Sequence, residues 1–81
     1  MFNVIREDSI SAIVKSFESF EEARREWVDT TMNIIKTKWP NELKAAPCAV
    51  NANGKINYEK GQTFFFKNTD DYITVRIEEG V

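Results

Sequence analysis

Apolar residues recur at helical spacing between Ser19 and Trp39 and at alternate positions on either side of that stretch. Phe20, Ala23, Trp27, Thr31 and Ile34 fall in one helical row, and Val28, Met32, Ile35 and Trp39 fall in a second row beside it. Together they predict an amphipathic helix with a wide apolar stripe, suited to lying on a sheet. Ser19 and Glu22 have the spacing of a capping box, in which the Ser hydroxyl takes a free N–H of the first turn and Glu22 reaches back to the Ser19 N–H. Glu18, Glu21 and Glu22 crowd the start of the stretch and Lys36 and Lys38 its end, as the helix dipole favours. Pro40 disfavours helical geometry at Trp39, so the helix is expected to stop there.

Before the helix, Phe2 to Arg6 reads as a strand with Phe2 and Val4 on one face and Asn3 and Ile5 on the other. Asp8-Ser9-Ile10-Ser11 has turn chemistry, and Ala12 to Phe17 reads as a second strand, which makes an N-terminal hairpin. Ile10, Ile13, Val14 and Phe17 also sit at helical spacing, so a helix running from Asp8 into the main one competes. The capping box favours the hairpin, because a fresh helix start needs a non-helical residue before it.

After the helix, Asn41 to Pro47 reads as a loop with a short helical turn at Glu42–Ala45. Cys48-Ala49-Val50 and Lys55-Ile56-Asn57-Tyr58 flank an Asn51-Ala52-Asn53-Gly54 turn signal, which leaves room for an extra short hairpin over 48–58. Glu59-Lys60-Gly61 breaks it. Gln62–Lys67 and Tyr72–Glu78 flank a turn at Asn68–Asp71. A four-residue loop at those positions sets Phe66 opposite Ile73 and Phe64 opposite Val75. Phe64, Phe66, Ile73, Val75 and Ile77 then form a core face, and Thr63, Phe65, Lys67, Tyr72, Thr74 and Arg76 form the other. The expected architecture is a single small α+β domain over residues 1–81. It is a β-β-α-β-β two-layer sandwich in which one amphipathic helix covers one face of an antiparallel sheet.

Composition narrows the function more than the fold. The chain has 81 residues, 42% of them hydrophobic, which suits one core rather than disorder. It has no run of apolar residues long enough to span a membrane, and Arg6, Glu7 and Asp8 interrupt any signal-peptide pattern at the start. Its one cysteine makes no internal disulfide, so a cytoplasmic location is the expectation. The absence of histidine removes the commonest general base and metal ligand. The net charge of −2 is too mild for a DNA mimic or a dedicated duplex binder. The charges are uneven, however: six lysines stand against Glu42 and Glu59 between residues 36 and 67, while acids prevail on either side.

Most constellations have plain structural readings. Glu21, Glu22 and Glu26 suit a solvated helix face, with Glu21 pairing to Arg25, and no histidine completes a metal pattern. Asn68, Asp70 and Asp71 suit a hairpin turn better than a calcium loop. Cys48 suits a small buried residue, and Asn53-Gly54-Lys55 lacks the P-loop pattern. No catalytic residue, metal ligand or cofactor is assigned.

The set that stands out is Phe65 and Tyr72 beside Lys67 and Arg76, all on the face turned away from the helix. Aromatic rings and arginine are the usual anchors of protein interfaces. The leading expectation is therefore a small non-enzymatic binding protein that modulates or inhibits a larger protein partner. A motif-poor profile of this kind is common among accessory proteins, including phage-encoded ones. Self-association of the same patch would make a homodimer. Rings beside cations on a sheet also stack single-stranded nucleic acid, but the glycine-bearing strand pattern of sheet-based RNA binders is missing. A small carboxylate-dependent enzyme ranks last.

Overall fold

A computed structural model of the chain describes residues 1–44 and 56–80. Four strands form one antiparallel sheet, and a single helix packs on one of its faces. The elements are β1 (Phe2–Asp8), β2 (Ala12–Phe17), α1 (Phe20–Lys38), β3 (Gln62–Phe65) and β4 (Tyr72–Glu79). Across the sheet the order is β2-β1-β4-β3, so the strand nearest the start of the sequence lies beside the one nearest its end. Phe2 faces Glu79 and Asp8 faces Ile73 along that central pairing. The Gly80 N–H donates to the Met1 carbonyl at 2.7 Å, closing the same seam.

The N-terminal hairpin forms in place of the competing long helix. The Asp8 carboxylate accepts from the N–H groups of Ile10 and Ser11 at 2.8 and 2.7 Å, a local turn that strand pairing then extends. These two bonds hold the Asp8 carboxyl below its ordinary pKa. Ser19 is extended and caps α1, its Oγ accepting from the Glu22 N–H at 3.2 Å. The Glu22 carboxylate takes the Ser19 hydroxyl at 3.1 Å, whereas the sequence pattern sends it to the Ser19 N–H. The helix ends where Pro40 requires, with Trp39 extended and its N–H bonded to the Ile35 carbonyl at 2.9 Å.

The core lies between α1 and the β1–β4–β3 part of the sheet. Val4, Phe64, Ile73, Val75 and Ile77 meet Ala23, Trp27 and Ile34, with Leu43 closing one side. Trp27 is buried, and its indole N–H donates to the Val75 carbonyl at 2.9 Å, so its one polar atom is satisfied. Buried Thr31 returns its hydroxyl to the Trp27 carbonyl at 2.9 Å. Of the first apolar row Ala23, Trp27, Thr31 and Ile34 are buried while Phe20 is 39% exposed, and of the second only Val28 packs against the core. Met32, Ile35 and Trp39 of the second stand 39–53% exposed, because the described sheet lies under the Ala23–Trp27–Ile34 line.

The last hairpin departs from its expected register. Phe64 faces Ile73 and Phe65 faces Tyr72, and the Phe66 N–H reaches the Asp71 carbonyl at 3.1 Å. The turn is Lys67–Asp70, one residue earlier than the sequence suggested, and Asn68 supplies the left-handed residue at φ 64°. Moving a turn by one residue moves the register by two. The strand side chains of Phe64, Phe65 and Tyr72–Ile77 therefore keep their expected faces while changing partners.

Three other expectations need correcting. Glu42–Lys44 is not a helical turn among its described residues. Instead the Lys44 N–H donates to the Phe65 carbonyl and the Lys67 N–H to the Glu42 carbonyl, both at 2.8 Å, with Leu43 bridged to Phe66. Tyr58 belongs to a turn rather than a strand. The Gly61 N–H donates to the Asn57 carbonyl at 3.0 Å, and the Tyr58 carbonyl accepts from Ile77 at 2.8 Å, beyond the end of β3. The third is the Glu21 partner, which is Arg24 at 3.1 Å rather than Arg25. Cys48 and the Asn51–Gly54 turn lie outside the described residues, as does most of the short hairpin expected over 48–58.

Candidate functional site

The sheet face turned away from α1 is built from alternate residues of all four strands. Pairing places Val14, Ile5 and Arg76 in one row, Ala12, Glu7, Thr74 and Thr63 in the next, and Tyr72 beside Phe65 at the corner. No described element packs over this face. The two-residue shift makes Phe65 and Tyr72 direct cross-strand partners rather than diagonal neighbours. Phe65 is 40% exposed and Tyr72 half-buried. Next to them the Thr63 and Thr74 hydroxyls share a hydrogen bond at 3.2 Å.

The two cations expected beside the rings are engaged elsewhere. Arg76 donates from Nη1 to Glu7 at 2.9 Å and from Nε to Glu78 at 3.2 Å, joining β4 to β1 across the face. The hydrogen bond to Glu7 raises the Arg76 pKa most, against a smaller opposing effect of burial. Lys67 lies in the turn rather than in β3, and its Nζ donates to the Pro40 carbonyl at 2.7 Å. The face thus brings Phe65 and Tyr72 together, keeps Arg76 on the same strand as Tyr72, and draws Lys67 toward the end of α1.

No protein-family model, curated protein or solved structure matches this chain. Its chemistry therefore rests on the residues alone. Among the described residues no three acids or cysteines converge on a metal-sized site, and no helix is long and apolar enough to cross a membrane. Glu21 and Glu22 are taken by Arg24 and the Ser19 cap, and Glu26 by Lys15 at 2.8 Å. Asp71 accepts from Ser9 at 3.2 Å, tying the β3–β4 turn to the β1–β2 turn.

Ile5 and Val14 are the part of the face that sequence reasoning passed over. Ile5 is only 8% exposed although it points away from the helix, because its cross-strand partners Val14 and Arg76 flank it. The alternation of Phe2–Arg6 already put Ile5 on that side. What the sequence lacked was the strand order that sets it beside Arg76.

Proposed function

We propose that the protein is a small non-enzymatic binding module that modulates a larger protein partner. Its contact surface is the sheet face opposite α1, anchored by Phe65 and Tyr72. The observation that carries this reading is the direct pairing of those two rings on a face that no described element covers. A flat sheet face with adjacent aromatic rings and a polar surround of threonines and paired charges has the anatomy of an interface core and rim. The engagement of Lys67 by Pro40 and of Arg76 by Glu7 and Glu78 favours a protein partner over a nucleic acid, which would draw on free cations.

The test is recovery of the partner on a tagged copy expressed in the organism of origin. The wild type is expected to carry one protein at equal stoichiometry. The Phe65→Ser, Tyr72→Ser double variant is expected to carry none while keeping its circular dichroism and melting temperature, since neither ring enters the core. Each anchoring ring is worth about 2 kcal/mol or more at such a contact, roughly thirtyfold in affinity. A folded double variant that still retains the partner refutes the assignment.

A further inference from the structure

The two edges of the sheet are treated differently. The outer edge of β3 is covered at its C-terminal end by the chain itself, through the Lys44 N–H to Phe65 and the Lys67 N–H to Glu42. The outer edge of β2 meets no described strand, and all its residues except Phe17 are exposed. The hydrogen-bonding phase of that edge follows from one contact. The Asp8 N–H donates to the Ser11 carbonyl at 2.9 Å, in register with the β1–β2 ladder. Ser11, Ile13, Lys15 and Phe17 therefore point their backbone groups toward β1, and Ala12, Val14 and Ser16 point theirs outward.

We infer that β2 is the self-association edge of this protein, pairing antiparallel with β2 of a second copy about a two-fold axis at Val14. In that register Val14 faces its own counterpart, Ala12 faces Ser16, and Ile13 faces Lys15. Ala12, Val14 and Ser16 each give an N–H and a C=O, which makes six inter-copy hydrogen bonds and one eight-stranded sheet. No charge is set opposite a like charge. The lysine that would ordinarily guard such an edge is drawn aside, because the Lys15 ammonium is bound to Glu26 of α1 at 2.8 Å.

The surface beside the edge fits a second copy as well. Between β2 and α1 runs an open groove of about 380 Å³, lined by Arg6 and Lys15 and by Glu26 and Asp29. Its charges balance within each copy, so two such grooves meet across the axis without net repulsion. Asp29 has no ion pair among the described residues, and the Arg6 Nε is buried without an acceptor. The register brings Ile13 of each copy beside Lys15 of the other at the mouth of its groove. Val14, 55% exposed, gains an apolar neighbour on the opposite face.

The interface is short, so the association is expected to be reversible and concentration-dependent. Sedimentation equilibrium of the full chain from micromolar to millimolar concentration should show a shift from 9.4 kDa to twice that mass. Val14→Pro removes an N–H that no bond among the described residues uses, so it should fold normally and remain monomeric throughout. Val14→Lys sets two ammonium groups face to face on the axis and should weaken association at least tenfold. It decides the matter should the proline variant fail to fold. The Phe65→Ser, Tyr72→Ser protein should dimerise like the wild type, which separates this edge from the proposed partner face. A wild type that stays at 9.4 kDa at millimolar concentration overturns the inference, as does a dimer that the folded Val14 variants leave intact.

Discussion

Trp27 carries both kinds of core energy, and two substitutions separate them. Truncation to alanine removes a large buried ring from the centre of the helix–sheet contact and costs about 3–5 kcal/mol. It also leaves the Val75 carbonyl without the indole N–H that it accepts at 2.9 Å. An 81-residue domain has on the order of 4–12 kcal/mol to lose. Trp27→Ala is therefore expected to be largely unfolded at 37 °C. Trp27→Phe keeps most of the ring but loses the indole hydrogen bond to the Val75 carbonyl and leaves a small void, for about 1–3 kcal/mol together. At roughly 4–8 °C per kcal/mol for a domain of this size, its melting temperature should fall by about 5–20 °C. Thermal melts followed by circular dichroism measure both. Fluorescence offers an internal check, because Trp39 is half exposed and Trp27 buried. The alanine variant should retain only the red-shifted Trp39 emission. A Trp27→Ala protein melting within about 2 °C of wild type would refute the placement of α1 on the sheet.

Three smaller perturbations probe the local devices. Ser19→Ala should lower stability by about 1 kcal/mol in urea titrations through loss of the cap, whereas an interior helical position would show no loss or a gain. Gly61 has φ +79°, and a Cβ there would stand 2.4 Å from the Val75 carbonyl oxygen, so Gly61→Ala should destabilise by more than the ~1–2 kcal/mol of backbone strain alone. The Asp8 carboxyl titrates below its ordinary value when folded, so its stabilising effect is complete above about pH 4 and is lost as pH falls through the folded value. The stability difference between wild type and Asp8→Ala should accordingly shrink on acidification below about pH 4, and a difference that grows would contradict the turn geometry.

The elements that could be read from the sequence are those whose reasons are local. Alternation sorted Phe64, Ile73, Val75 and Ile77 from Phe65, Tyr72 and Thr74, and the Ser19 cap settled hairpin against helix. What was illegible depends on distant partners. Nothing near Leu43 in sequence announces that Glu42–Lys44 will pair with the C-terminal end of β3. Tyr58 looked like a strand residue, yet its ring stands edge-on to Trp27 at 4.9 Å and to Phe20 at 5.4 Å, with Phe20 in turn against Phe2 at 5.7 Å. The helix stripe was read too wide because apolar spacing reports which residues share a side and not how much sheet lies beneath them. At the candidate face the rings were legible and the cations were not, since the bonds of Lys67 to Pro40 and Arg76 to Glu7 cross between elements.

The seam between β1 and β4 has a consequence for how the chain could be reconnected. The first and last described residues are bonded to one another through Gly80 and Met1, so a short linker can join the ends without bending the sheet. Opening the chain instead at the exposed Ser9–Ile10 turn gives the order β2-α1-β3-β4-β1. The β1–β4 ladder, which in the native order must bring Phe2 to Glu79 across nearly the whole chain, then becomes a neighbouring hairpin. The same contacts would close over a much shorter loop, and a circular permutant of this kind should fold faster than the parent chain while keeping its architecture.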